Sequence, residues 1–247
     1  MKDFLRINLS VDNILFAVCN DIAMEPYAMS TARKFTFRNL KIKRDVNLEG
    51  RKRVNVRVFH KTKERTKGQI IYDFNILLLE APENIDKMWW IYGLVYDDSE
   101  DEYEQGVIDV YRIWQKGELF DWSKLPLNSE LKRNYISACL GYSGLSTKIL
   151  DRDRFQIDVH QIKEDRDFLY YIAEELIGDK GYFGHSLHTF KDCLLELYHH
   201  KVDLKGKEII FLNSSSFYNS EVMELLKEVK KEMMLYDFTI REESNNI

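Results

Sequence analysis

The sequence predicts two domains: a β-rich, mainly antiparallel domain over residues 1–150, and an α/β domain with a small three-stranded parallel sheet and packed helices over residues 151–247. A length of 247 residues suits two ordinary domains. The first half contains short segments in which apolar and polar residues alternate, as in half-buried antiparallel strands. The second half follows the order strand, two helices, strand, helix and strand, which favours a parallel sheet with right-handed crossovers. Small and charged residues at 141–153 separate the two patterns.

Composition predicts a chain that folds in water and remains in the cytoplasm. Hydrophobic residues make up 45% and charged residues 31% of the chain, which is typical of globular proteins. No apolar run approaches the roughly 20 residues of a membrane span, and the first residues do not resemble a secretory signal. Cys19, Cys139 and Cys193 are widely spaced and odd in number, which predicts buried free thiols in a reducing compartment.

Charge is distributed unevenly between the two halves. Residues 1–150 carry 23 Lys and Arg against 21 Asp and Glu, whereas residues 151–247 carry 13 against 20. An acidic C-terminal part disfavours nucleic acid as its ligand and favours a basic protein partner.

The first half contains a series of predicted strands. They are Asn13–Val18, Lys34–Lys43, Val54–His60, Gln69–Leu79, Met88–Val95 and Val107–Trp114. Residues 62–68 would form a hairpin turn, and residues 97–104 an acidic loop. Ser129–Leu140 is predicted to be a helix that closes this domain.

A basic segment raises the alternative that the first domain binds nucleic acid. Residues 31–67 contain 14 Lys and Arg and three acids, enough to form a basic surface for RNA. The acidic loop offsets this charge, and Phe35, Phe37 and Phe59 fall at inward-pointing positions that do not suit base stacking. Direct nucleic-acid binding is therefore not expected. The acidic loop also lacks the ligand spacing of a calcium-binding loop.

The second half contains a coherent set of strands and helices. The predicted elements are a strand at Phe155–Val159, a helix at Glu164–Ile177, a helix opening at His185 or Ser186 and ending near Tyr198, a strand at Glu208–Leu212, a helix opening at Asn219 or Ser220, and a strand at Phe238–Ile240. The strand at 208–212 is a continuous apolar run, as expected of a central strand that is buried on both faces.

The stretch from Gly181 to Leu194 combines a tight turn with an amphipathic helix. Two glycines flank a Tyr-Phe pair, so the backbone is free to bend there. One helix face then carries an apolar stripe and the other a polar row spaced four residues apart, formed by His188, Asp192 and Glu196. Two interpretations are open: the turn and the polar row form a recognition surface, or the aromatics simply pack and the charged face is solvated.

The same stretch resembles the motif of the barstar family. Tyr182-Phe183-Gly184 is followed at the family's spacing by Leu187, Phe190 and Asp192-Cys193-Leu194. Members of that family are small intracellular proteins that inhibit ribonucleases by blocking the active site. The resemblance covers about residues 151–247, and the predicted order of strands and helices agrees with the barstar fold. It implies an immunity protein of a toxin–antitoxin pair, without catalysis or cofactor, that inhibits a ribonuclease or nuclease toxin.

The resemblance also implies a partner-binding surface built from the turn, the second helix and an acid on the last helix. Its residues here are Tyr182, Phe183, Gly184, Ser186, His188, Lys191, Asp192 and Glu228. Family members often have Asn at the Ser186 position, Asp at the His188 position and Trp at the Lys191 position. These departures predict either a different target or a copy that has lost the inhibitory contact. The remaining alternative is a non-catalytic interaction module whose N-terminal domain binds another partner or nucleic acid.

An enzyme is the competing class of function. His188 and Asp192 are four residues apart, which would suit a base with its orienting acid or a pair of metal ligands. Cys193 falls at a position that faces the core, which makes it a poor nucleophile. The sequence has no Gly-rich phosphate loop, no Ser-centred elbow and no His-Glu-x-x-His motif. We therefore expect neither catalysis nor a bound metal.

Overall fold

The chain forms two compact units in the computed structural model. The structure describes residues 4–26, 32–61, 69–96, 104–118, 120–213 and 220–244. One unit extends to Phe120 and the other begins at Asp121. The first contains a large antiparallel sheet and the second a separate three-stranded parallel sheet, so the predicted fold class of each half is confirmed at this level. The division between the units precedes the junction predicted from the sequence.

The described strands of the first unit form one antiparallel sheet. They are β1 (Phe4–Val11), β2 (Ile14–Cys19), β3 (Asp21–Pro26), β4 (Arg33–Arg38), β5 (Lys41–Ile42), β6 (Arg53–Lys61), β7 (Gln69–Leu78), β8 (Glu83–Ile85) and β9 (Met88–Tyr96). Their order across the sheet is β3-β4-β9-β7-β6-β1-β2-β5, and β8 pairs with β9. The predicted strands that correspond to β2, β6, β7 and β9 are confirmed, whereas β1 and β3 were not predicted.

The predicted strand at 34–43 is two strands. Asn39 lies between β4 and β5 with φ at +56°, a left-handed conformation that a continuous strand does not contain. The chain turns there, and the backbone N–H of Leu40 donates to the carbonyl of Lys87 at 3.1 Å. The predicted hairpin turn at 62–68 and nearly all of the predicted acidic loop, residues 97–103, lie outside the described residues.

The predicted strand at 107–114 is wrong, because this segment is helix α1 (Gln105–Lys116). Its buried residues are Val107, Ile108, Val110 and Tyr111, a spacing that places them on one side of a helix. Gly117 ends the helix with φ at +73°, and its N–H bonds back to carbonyls of the last turn. Glycine is the usual residue at this position because it adopts a positive φ without strain.

The sheet of the first unit curls around its own core. The rings of Phe16 on β2 and Trp89 on β9 lie 5.7 Å apart, although β7, β6 and β1 separate these strands in the sheet. Phe35 on β4 and Phe74 on β7 also meet, at 5.8 Å. Inward residues of strands far apart in the sheet therefore share one apolar interior.

Side chains of α1 occupy the outer edge of β3. The backbone N–H of Met24 donates to the side-chain oxygen of Gln105 at 2.7 Å. Arg112 donates to the carbonyl of Ile22 and to the carboxylate of Asp21. One N–H and one carbonyl on the outer edge of β3 are thus bonded to side chains of a helix rather than to another strand.

The second unit contains the predicted parallel sheet. Its elements are α2 (Glu130–Ser143), β10 (Arg154–Asp158), α3 (Asp165–Leu176), α4 (Leu187–His199), β11 (Glu208–Leu212), α5 (Ser220–Leu235) and β12 (Thr239–Glu243). The strands lie in the order β10-β11-β12, and both pairs are parallel. Throughout the described ranges, no helix has the length and apolar character that a membrane span requires.

A buried ion pair explains why α2 belongs to the second unit. Lys132 of α2 has only 2% of its surface exposed. Its ammonium donates to Glu164 at 2.7 Å and to Asp167 of α3 at 2.6 Å. Burial alone would lower the pKa of Lys132, but hydrogen bonds to Asp167 and Glu164 outweigh this and raise it. Trp122 also donates to Asp167, at 2.7 Å. The sequence predicted a helix at Ser129–Leu140 and placed it in the first domain, and the structure has α2 there, capped by Ser129 and grouped with the second unit.

A truncation series tests this assignment. Residues 121–247 should unfold in one cooperative transition, whereas residues 151–247 should not, because they lose α2 and the packing of Trp122, whose ring stacks on that of Tyr170 at 4.2 Å. Burial of one large apolar side chain contributes about 1.5–3 kcal/mol, so loss of this packing removes a large part of the stability of a typical domain. Thermal unfolding followed by circular dichroism measures this. Equal cooperativity and equal midpoints for both fragments would contradict the assignment.

Candidate functional site

The turn before α4 is packed tightly onto that helix. Gly184 has φ at +100°, and a Cβ atom placed there would lie 2.6 Å from the backbone nitrogen of Phe190. Phe183 is fully buried and its ring meets the ring of Phe190 at 5.5 Å. Gly184 is therefore required both for its backbone conformation and for the closeness of the turn to α4.

Ser186 opens α4, which is one of the two starts that the sequence predicted. Its hydroxyl accepts from the backbone N–H of Thr189 at 3.3 Å, and the Thr189 hydroxyl accepts from the N–H of Ser186 at 3.0 Å. This reciprocal arrangement is a capping box, which satisfies N–H groups that the first turn of a helix leaves without partners. The Thr189 hydroxyl also accepts from the N–H of His185 at 2.8 Å. Ser186 therefore has a structural role at the start of α4.

Tyr182 is buried rather than displayed on a surface. Only 3% of its surface is exposed. Its hydroxyl lies 3.0 Å from Nδ1 of His185, and burial raises its pKa to about 12. Of the residues predicted to contact a partner, Tyr182, Phe183 and Gly184 are therefore buried in the turn. This placement agrees with the alternative in which the aromatic pair packs and supports the helix.

The outer side of α4 presents the predicted polar row. His188 and Asp192 are one helical turn apart, and the distance from His188 Nε2 to Asp192 Oδ2 is 3.9 Å. The Asp192 side chain is 57% exposed. An ion pair of this length between exposed groups is weak, so the Asp192 carboxylate remains accessible to a partner.

Helix α5 lies beside α4 and adds carboxylates to the same surface. Lys191 Nζ is 2.9 Å from Glu232 Oε1 on α5. The hydrogen bond to Glu232, together with the charges of Glu232 and Glu228, raises the pKa of Lys191. Glu228 itself is exposed. We define the α4–α5 face as His188, Lys191, Asp192, Glu228 and Glu232.

The structure thus brings together four of the eight predicted residues and adds one that was not predicted. Glu232 follows Glu221, Glu224 and Glu228 along α5, and that spacing was the available signal. The pairing of Glu232 with Lys191 depends on how α5 packs against α4, and the spacing of residues within one helix does not reveal this.

The thiol next to the α4–α5 face is buried and protonated. Cys193, next to Asp192, is 1% exposed, and burial raises its pKa to about 12. A thiol held in its protonated form is a poor nucleophile. Among the described residues, no group of three or more His, Cys, Asp and Glu side chains is arranged to hold a metal ion. What remains is a set of exposed carboxylates held on two neighbouring helices.

The close approach at Gly184 can be tested by substitution. Gly184→Ala should lower the free energy of unfolding by about 3 kcal/mol or more, combining about 1–2 kcal/mol of left-handed strain with displacement of the Phe190 backbone. Gly206→Ala is the matched control: its φ is +80°, but no atom lies within 4 Å of the added Cβ, so only the strain applies. Urea denaturation measures both. Equal losses would show that the approach to α4 does not matter.

Burial of Cys193 predicts a loss of stability at alkaline pH. Its pKa is raised from 9.0 to about 12, so above pH 9 the unfolded chain releases a proton that the folded chain retains. Stability contributed by this thiol is complete below about pH 9 and falls by about 1.4 kcal/mol per pH unit up to about pH 12. Chemical denaturation across this range should give a shallower slope for Cys193→Ser than for wild type. Identical slopes would refute the prediction.

The stretch Tyr182–Leu194 and the elements from β10 to β12 all lie in the second unit. In comparisons with protein-family models, curated proteins and solved structures, the chain matches none.

Proposed function

We propose that the second unit is an immunity protein that inhibits a ribonuclease or nuclease toxin by covering its active site with the α4–α5 face. The observation that carries this proposal is the exposed Asp192 carboxylate, which has only a 3.9 Å pairing with His188 and stands beside the carboxylates of α5. The barstar-like motif supports it, because Asp192 holds the acidic position of that motif.

The mechanism follows from charge. A ribonuclease active site binds phosphate and therefore presents Arg, Lys and His side chains. A carboxylate at the phosphate position accepts charge-assisted hydrogen bonds from those groups. The surrounding acids would attract the basic site during diffusion and accelerate the encounter.

The ion pair between Lys191 and Glu232 supports a target that differs from the ribonucleases bound by barstar-family members. Lys191 stands where family members often have Trp, so a cation replaces an aromatic contact at the centre of the face. Its bond to Glu232 at 2.9 Å also neutralises one carboxylate. The nuclease that fits this surface would present a polar or acidic group opposite Lys191 and its cations opposite Asp192 and Glu228.

One observation favours a second candidate, nucleic-acid binding by the first unit. The ammonium of Lys34 lies 5.0 Å from the ring of Trp90 and 6.0 Å from that of Tyr92. Both aromatics alternate with buried residues of β9, so they belong to the outer face of the sheet. Aromatic rings beside basic groups suit stacking of unpaired bases. Salt-dependent binding of a single-stranded RNA oligonucleotide by the whole chain, lost in Trp90→Ala, would favour this candidate.

Replacement of Asp192 tests the inhibitor. The chain is immobilised, a lysate of its native cells is applied at low salt, and the high-salt eluate is assayed for cleavage of a fluorogenic RNA. Added wild-type protein should suppress the recovered activity, and Asp192→Ala should weaken this suppression about 30-fold or more. That scale follows from the 2–5 kcal/mol lost when one partner of a buried charge pair is truncated, for which barnase–barstar is the reference case.

An exposed acid on α2 serves as the control for charge alone. Glu130, whose side chain is 78% exposed and pairs with Arg133 at 3.5 Å, lies outside the proposed surface, so Glu130→Ala should inhibit like wild type. Neither variant should change the thermal midpoint by much, because exposed charges contribute little to stability. Recovery of no RNA-cleaving activity, or equal inhibition by wild type and Asp192→Ala, would refute the proposal.

A further inference from the structure

An exposed apolar patch lies at the C-terminal ends of α4 and α5. Its members are Leu195 and Tyr198 of α4 and Leu235 of α5, with 42%, 66% and 68% of their surfaces exposed. Isolated exposed apolar residues are ordinary, but a cluster of them on adjacent helices marks an interaction surface.

The patch continues the α4–α5 face in one direction. Lys191 contacts Glu232, and further along α4 the ring of Tyr198 lies 6.2 Å from that of Tyr236, which directly follows α5. Contacts that advance together along the chain in both segments show that α4 and α5 run parallel. Tyr198 is six positions after Asp192, about 9 Å along the helix, and lies on the side of α4 that carries Lys191. The pair of Lys191 and Glu232 therefore lies at one end of the seam between α4 and α5, and the apolar patch lies at the other.

A groove opens beside Tyr198. It has a volume of about 540 Å³, and Tyr198, Tyr236, Val202 and Leu204 form its apolar lining. Lys201 and Lys205 at its border are balanced by Asp203 and Asp237. The groove thus has little net charge and offers a site for an apolar side chain.

We propose that the apolar patch and this groove receive a protruding apolar or aromatic side chain of the same nuclease whose basic site covers Asp192; this inference rests on the proposed function. A standard interface buries about 800 Å² on each partner, a disc roughly 30 Å across. A globular enzyme centred on Asp192 and Glu228 therefore also covers Tyr198 and Leu235. Its surface must combine a cationic centre with an apolar projection about 9 Å away along the direction of α4.

The two ends of the surface have different kinetic roles. Carboxylates such as Asp192 raise the association rate and make it dependent on salt, and Asp192, once paired with the buried cations of the enzyme, also slows dissociation. Aromatic and aliphatic anchors that lose all contact with water dominate the resistance to dissociation. Tyr198 and Leu235 are the specificity-determining residues that retain the enzyme after the carboxylates have oriented it.

Binding kinetics separate these roles. The probe is the ribonuclease purified by its RNA-cleaving activity from the resin eluate described above, and surface plasmon resonance records its binding to the full chain at several salt concentrations. Tyr198→Ala and Leu235→Ser should each increase the dissociation rate about tenfold or more, the effect expected of anchor residues. Their association rates and salt dependence should equal those of wild type, whereas Asp192→Ala should both slow association and accelerate dissociation.

Met234→Ser is the matched control. Met234 is 55% exposed and precedes Leu235, but it lies one turn after Lys230, which pairs with Glu242 of β12 on the side of α5 away from α4. This variant should dissociate like wild type. If Met234→Ser and Leu235→Ser have the same effect, or if Tyr198→Ala and Leu235→Ser both match wild type while Asp192→Ala weakens binding, the inference is refuted and the proposed function stands. If no ribonuclease is recovered from the resin, or if the wild-type chain does not inhibit the recovered enzyme, both are refuted.

Discussion

The second unit depends on the buried ammonium of Lys132. Charges are costly to remove from water, and this cost is offset only when partners surround them. Asp167, the buried carboxylate that faces Lys132, has hydrogen bonds on both of its oxygens. One oxygen accepts from Lys132 and Trp122, and the other accepts from the N–H of Lys163 at 2.9 Å. Glu164, the other carboxylate bound to Lys132, accepts from the N–H of Asn128 at 2.7 Å. Four points of the chain are thereby fixed to one cluster, which sets where α3 begins and how α2 lies against it.

The turn that follows α3 packs against both α3 and α4, so the position of α3 determines where α4 and the proposed binding face lie. Gly181 approaches the end of α3 so closely that an added Cβ would lie 2.5 Å from the Cβ of Ile177. Gly184 approaches α4 in the same way, and Phe183 fills the space between. Residues 181–184 of this turn are all buried, so packing on both sides fixes the connection between α3 and α4. Asp192 and Lys191 owe their positions to residues that a partner would never touch, which is how a small surface becomes preorganised for binding.

The sequence predicted those features that depend on residues close together in the chain. The cap at the start of α4 and the apolar strand β11 are examples. Two local patterns were nevertheless overlooked: Phe4–Val11 alternates apolar and polar residues as a strand should, and the apolar positions of 107–114 recur at helical spacing. Other features needed the tertiary structure. Burial of Tyr182 depends on what packs over the turn, and the bond from Lys191 to Glu232 on α5 depends on the arrangement of helices distant in sequence.

Gln105 and Arg112 cover the outer edge of β3, which hinders the pairing of this edge with another molecule. An open strand edge is a template on which a second molecule can add a strand, and repeated addition leads to aggregates. Here the carbonyl of Ile22 and the N–H of Met24 are already bonded to side chains of α1. Growth of a sheet from this edge would first have to detach the helix, and the buried side chains of Val107 and Tyr111 hold it in place. Helix α1 thus opposes the addition of a strand at this edge as well as completing the core of the first unit.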